Sequence, residues 1–236
     1  MRNAIRSRAP LDTQHQVSIA AGSVSLVGDL SIPVGAEGIV LFAHGSGSSR
    51  HSPRNRYVAQ MLNQAGLGTL LIDLLTPEEE IVDQRTRHLR FDIGLLAFRL
   101  VSAADWLSQT PTTHRLNIGC FGASTGSAAA LIAAAERPDS ICAVVSRGGR
   151  PDLAGTALSR VQAPTLLIVG GRDTAVIHLN QRAFQRITAE KQIKIVPNAT
   201  HLFEEPGTLA QVAQLAGQWF QQYLSDRPEK RAVTQG

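Results

Sequence analysis

Two hydrophobic rhythms divide the chain. Near its start, residues 16–20 and 23–31 alternate apolar and polar positions around Ala21-Gly22, the period-two pattern of paired antiparallel strands. From Gly38 onward the rhythm changes to short continuous apolar runs at residues 39–43, 68–72, 116–121, 141–145, 165–169 and 192–196. Each run is bounded by Gly, Pro, Asp or Asn, as buried parallel strands are. Helical patterns lie between the runs. Ile93, Leu96, Leu100, Ala103 and Leu107 recur at steps of three and four, which places them on one helix face. Leu209, Val212, Leu215, Trp219 and Tyr223 repeat that stripe near the end, with Pro206 at the helix start, and read as core packing. The alternation predicts an α/β fold: a mostly parallel sheet of about eight strands, helices on both faces and an antiparallel N-terminal edge. Residues 1–236 read as one domain, with the core over 17–224, flexible ends and no insertion long enough for a lid domain. Ligands of such open sheets bind beyond the carboxyl ends of the strands, so chemistry is sought there.

Composition narrows the classes. The chain is 43% hydrophobic and 18% charged, which is globular. A membrane helix needs about 18 apolar residues in a row, and no such run exists. Arg2, Arg6 and Arg8 near the start have no apolar run behind them, so a short solvated tail is expected rather than a secretory signal. Net charge is +4 and the sequence pI is near 9.6. Lys and Arg are scattered among acids rather than grouped with aromatics, so no nucleic-acid partner is expected. Cys120 and Cys142 both sit in apolar runs, without a disulfide framework or CxxC pair. That usage fits a reducing cytoplasm. No cofactor or metal is expected, since no His or carboxylate cluster has ligand spacing.

The clearest chemistry lies after the run at 116–121. Gly122-Ala123-Ser124-Thr125-Gly126 follows it directly, and an Ala-rich helix then runs to Glu136. G-x-S-x-G by itself is a weak signal; a buried strand before it and a small-residue helix after it make it a nucleophile turn. Both glycines remove Cβ atoms where strand and helix converge. Ser124 then sits in a strained conformation at a helix N-terminus, where free N–H groups favour negative charge. The plainer alternative is a helix N-cap.

A serine hydroxyl needs a base, and the base needs a carboxylate to hold its tautomer. On such a turn the partners follow in the order acid, then His. Of the seven histidines, His201 lies in a turn-rich loop between the run at 192–196 and the last helix. His178 falls in a helical stretch and reads as a surface or half-buried histidine. Asp173, in Gly170-Gly171-Arg172-Asp173 after the run at 165–169, is the candidate acid. Its alternative role is a helix cap, and Asp152 is the second choice of acid. Asp73 precedes Ser124 and is in the wrong order.

Hydrolysis also needs two donors aimed at the oxygen that becomes negative. One is the backbone N–H of Thr125, whose hydroxyl is assigned no role. The other is assigned to Ser46, in the loop His44-Gly45-Ser46-Gly47-Ser48-Ser49 after residues 39–43. His44 reads as a turn-stabilising residue. The loop lacks the lysine of a nucleotide-phosphate cradle.

Taken together, His44-Gly45-Ser46-Gly47, the Ser124 turn, and Asp173 with His201 resemble the dienelactone-hydrolase-like branch of the α/β-hydrolase superfamily. Residues 44–55 (HGSGSSRHSPRN) and 145–150 (VSRGGR) are similar to a bacterial subgroup sometimes fused to a phosphoribosyltransferase. The resemblance runs over residues 17–224 and implies the α/β-hydrolase fold with its triad roles. No phosphoribosyltransferase part is read here, so that activity is not implied. Dienelactone hydrolases proper use a cysteine nucleophile where this chain has Ser124, so lactone specificity does not carry over.

Arg50, Arg147 and Arg150 lie near strand ends, and some are candidates to line a pocket for an anionic ester. Ion pairs with Asp73, Glu78 or Asp152 are the alternative. The leading reading is hydrolysis of a small carboxylic ester through an acyl-enzyme on Ser124, His201 and Asp173. Acyl transfer or perhydrolysis on the same triad, and a non-catalytic binding protein on the same fold, are the competing readings.

Overall fold

The computed structural model describes residues 11–225; the arginine-bearing tail and the C-terminal end lie outside the described residues. In chain order the strands are β1 (Leu11–Ala21), β2 (Val24–Pro33), β3 (Gly38–Ala43), β4 (Gly68–Ile72), β5 (Asn117–Ala123), β6 (Ile141–Arg147), β7 (Thr165–Gly170) and β8 (Lys191–Val196). They form one sheet in the order β1-β2-β4-β3-β5-β6-β7-β8. β1–β2 and β2–β4 pair antiparallel, and every later pair is parallel. This is the predicted architecture. The hairpin turn falls one residue later than the pattern placed it, because Ala21 pairs with Val24 and leaves Gly22-Ser23 between them. Gly22 has φ 63°, the positive value that the first residue of a type II′ turn requires.

Every residue of β3, β4, β5 and β7 is buried, which is why their sequences are unbroken apolar runs. The run at 192–196 is a correction. β8 is an edge strand on which only Val196 is buried. It pairs with β7 alone, and Lys194 on its exposed side blunts the edge against further pairing.

Helices cover both faces. α3 (Ile93–Gln109), α4 (Thr125–Glu136) and α5 (Thr174–Arg186) pack on one side with Leu26, Leu41 and Val144. α1 (Pro53–Gln64) and α6 (Thr208–Leu224) pack on the other with Phe42, Phe121 and Val145. Leu96, Leu100 and Leu107 of the predicted α3 stripe are at most 3% exposed, and each contributes about 2 kcal/mol of burial. Pro206 stands just before the N-cap Gly207 of α6 rather than in its first turn. α2 (Pro77–Thr86) carries no apolar stripe, and Asp83 is its only buried residue. Among the described residues no helix is long and apolar enough to cross a membrane.

Candidate active site

β5 enters a sharp turn at Ser124, whose backbone has φ 50° and ψ −121°. That region is strained for any residue with a Cβ, and such strain concentrates where function requires it. The two flanking glycines explain how the turn closes. A Cβ at Gly122 would stand 2.3 Å from the Ser127 Cα, and one at Gly126 would stand 2.4 Å from the Ala43 carbonyl oxygen. Ser124 opens α4 but does not cap it: its side chain makes no capping bond. Ser127 Oγ instead donates to the Ser124 carbonyl at 2.6 Å. The half-buried Ser124 hydroxyl therefore projects without a partner among the described residues. Its backbone is tied to β6, with Ser124 N–H donating to the Arg147 carbonyl at 3.2 Å and Arg150 N–H to the Ser124 carbonyl at 3.0 Å.

The loops after β7 and β8 are stitched together by their backbones. Gly171 N–H donates to Val196 O at 2.8 Å, and Arg172 N–H to Ala199 O at 2.9 Å. This brings Asp173 Oδ2 to 2.6 Å from His201 Nδ1. Asp173 is the N-cap residue of α5, yet its side chain makes no cap bond. With Nδ1–H on the carboxylate, Nε2 of His201 is the ring's acceptor. Gly148, one residue past the carbonyl that holds Ser124, borders the same loop: its Cβ position lies 3.6 Å from His201 Nδ1. His201 and Asp173 thus form one pair at the carboxyl edge of the sheet, and the end of β6 that holds the Ser124 backbone leads through Gly148 to their loop. His178 is exposed on α5.

The loop after β3 is anchored by His44, 6% exposed. Its Nε2 accepts from Leu74 N–H at 3.0 Å and its Nδ1 donates to Gly45 O at 2.9 Å. Burial lowers its pKa, opposed by the Gly45 contact and Asp73. Ser46 N–H points at Thr125 and donates to its Oγ1 at 2.9 Å. The hydroxyl to which sequence assigned no role is therefore engaged with the loop after β3. Beside this loop lies a cleft lined by Ser46, Gly47, Leu75, Glu80, Arg90 and Leu96. Burial, then Asp73 and Asp83, raises the Glu80 pKa, while Arg90 opposes the rise.

The three candidate substrate arginines have separate partners. Arg50 pairs with Asp73 through Nη1 and lies 3.4 Å from Asp29. Arg150 grips Asp152 with two bonds of 2.9 and 2.8 Å, so the second-choice acid is held in an ion pair. Arg147 is 6% exposed. It reaches Asn55 Oδ1 at 3.4 Å and lies 5.9 Å from the centre of the Phe203 ring. Burial, with Arg54 nearby, lowers its pKa to about 10.

A family model described as the dienelactone hydrolase family matches residues 33–224. The chain belongs to that family. Two Mycobacterium tuberculosis proteins, from strains CDC 1551 and H37Rv and both named as phosphoribosyl transferases, are 59% identical to it over 209 residues. That match covers 89% of this chain and 46% of each relative, so the chain spans about half the length of the curated relatives it matches. The crystal structure of dienelactone hydrolase from Anabaena variabilis aligns with a TM-score of 0.89 and 65% identity, over 90% of this chain and 98% of that one. The Pyrococcus furiosus esterase shares the fold, with a TM-score of 0.70 and 18% identity over 90% and 92% of the two chains.

On this dienelactone hydrolase scaffold, three features of the site escaped the sequence reading. Glu80 and Arg90 line the cleft from the segment carrying α2, which hydrophobic periodicity did not reveal. A signal was present: Thr76, Pro77 and Glu79 form a capping box with proline in the first turn. The third feature is the Thr125 hydroxyl, which gains meaning only when the loop after β3 is folded against it.

Proposed function

We propose that the chain is a serine hydrolase that cleaves a small carboxylic ester through an acyl-enzyme. The observation that carries this reading is the strained, uncapped Ser124 at the end of β5 together with a His201–Asp173 pair at 2.6 Å. Ser124 Oγ attacks the ester carbonyl as its proton passes to His201 Nε2. Asp173 holds the Nδ1–H tautomer and stabilises the imidazolium. The carbonyl electron pair moves to oxygen, and the N–H of Thr125, at the start of α4, faces the developing charge. Collapse expels the alcohol, which takes the proton from His201. Water then repeats the cycle on the acyl-enzyme.

Membership of the dienelactone hydrolase family and the likeness to an esterase favour ester cleavage. The ion pairs of Arg50 and Arg150 argue against a direct substrate role for either. Ser124→Ala is expected to lower turnover of p-nitrophenyl acetate by about 10⁶-fold and to abolish labelling by a fluorophosphonate, with the fold unchanged by circular dichroism. Labelling that persists in the variant would remove Ser124 from this role.

A further inference from the structure

We propose that the side-chain hydroxyl of Thr125 is the second oxyanion donor, and that the Ser46 amide acts through it rather than directly. The proposal rests on the serine hydrolase reading and specifies its transition-state contacts. Ser46 N–H has one proton, and at 2.9 Å that proton is directed at Thr125 Oγ1. Thr125 is 4% exposed. Its hydroxyl accepts this bond, yet its own proton has no acceptor among the described residues. Buried donors in folded proteins are nearly always paired, so a buried O–H left open beside an unpartnered nucleophile points to a substrate atom as its acceptor.

The local packing makes this arrangement rigid. Gly126 presses α4 onto the carbonyls of Ala43 and His44, at 2.4 and 2.5 Å from its Cβ position. The Cβ position of Gly45 lies 3.0 Å from the Ser124 Cβ. Loop and helix start are therefore in contact on both sides of the Ser46–Thr125 bond. A β-branched side chain has few χ1 choices, which limits where Oγ1 can stand relative to its own N–H. Thr125 N–H, in the first turn of α4, has no intrahelical acceptor. One residue thus presents two donors, from its backbone and its side chain. By accepting from Ser46, the hydroxyl is polarised and becomes the better donor.

In the reaction, the Ser124 oxygen bonds to the carbonyl carbon and the C=O π pair becomes a lone pair on oxygen. Thr125 N–H and O–H both hydrogen-bond to that oxygen. Neither transfers its proton, and the proton released by Ser124 travels to His201 and then to the leaving alcohol.

The test compares Thr125→Val, Thr125→Ala and Thr125→Ser in burst kinetics with p-nitrophenyl acetate, with unfolding followed in parallel. Loss of one oxyanion donor lowers turnover by about 10²- to 10³-fold. That loss is expected in the acylation rate constant of Thr125→Val and Thr125→Ala with KM little changed, while Thr125→Ser stays within several-fold of the parent. A trifluoromethyl ketone, whose adduct carries the oxyanion, should weaken in parallel. If the Ser46 amide were itself the donor and the hydroxyl only masked it, Thr125→Val and Thr125→Ala would acylate as fast as the parent or faster, and the proposal would be overturned. Equal losses in Thr125→Ser and Thr125→Ala would also overturn it, by tracing the effect to the missing methyl group. Should Thr125→Val fail to fold, the Ser and Ala variants, both smaller than the native side chain, still decide the matter. Failure of the underlying reading looks different: the parent protein would give no burst and no fluorophosphonate label.

Discussion

Two buried guanidiniums flank the candidate site, and the fold treats them in opposite ways. On the side of the loop after β3, Arg99 of α3 is 2% exposed. It donates to both Glu79 oxygens at 2.5 Å and to the Leu74 carbonyl at 2.7 Å. The same residue, Leu74, gives its N–H to His44, so the ion pair braces the loop that carries Ser46. On the side of the His201 loop, Arg147 is 6% exposed and has a neutral amide and an aromatic ring as its neighbours, with no carboxylate within ion-pair reach among the described residues. Its pKa falls to about 10 under burial, whereas the Arg99 hydrogen bonds hold the Glu79 carboxyl below its ordinary value. One cation is an anchor. The other opposes stability where it sits, and the Phe203 ring it faces belongs to the loop of His201.

Breaking the anchor should have the larger effect on stability. Arg99→Met leaves the Leu74 carbonyl without its side-chain donor and the Glu79 carboxylate with the Thr76 N–H as its remaining backbone donor. A buried pair broken this way costs about 3–5 kcal/mol, and the one-quarter exposure of Glu79 reduces that to about 2–3 kcal/mol here. Urea unfolding measures it, and a loss below half a kcal/mol would show that the pair braces nothing.

Arg147→Met should behave differently. Replacing an uncompensated buried cation by an apolar chain of similar length is expected to leave stability within about 1 kcal/mol or to raise it. Activity should nonetheless fall, because the Phe203 ring loses the cation it faces. Hydrolysis of neutral and of carboxylate-bearing esters should fall by the same factor if Arg147 only supports the His201 loop. A loss confined to acidic esters would make Arg147 a reader of substrate charge, and the comparison with Arg99 would then separate an anchor from a recognition group.

What was legible in the sequence follows the same division. The strained turn at Ser124 was readable because its requirement is local: a buried strand, two glycines, a small-residue helix. The sheet was readable because parallel strands buried on both faces are continuous apolar runs. β8 misled because Ile193 and Ile195 give an edge strand the look of an interior one. Arg50, Arg147 and Arg150 look alike in sequence, and only folding shows which meet carboxylates from Asp73 and Asp152. The Thr125 hydroxyl was passed over for a similar reason: its partner Ser46 lies 79 residues away.

The smallest effect concerns the loop after β3. His44 is buried neutral, with Nε2 accepting from Leu74, and burial holds its pKa below the ordinary 6.5. Below pH 6.5 the unfolded chain therefore binds a proton at this position that the folded chain does not, and stability falls as the pH falls. Below the depressed folded-state value both forms carry the proton and the decline from this residue ends. His44→Gln keeps a donor and an acceptor but cannot be protonated. It should be less stable than the parent at pH 7, and the gap should narrow as the pH drops toward 5. Denaturant midpoints measured across that range test this. Parallel pH profiles for the two proteins would mean that His44 is not the group whose neutrality holds the Ser46 loop to the end of β4.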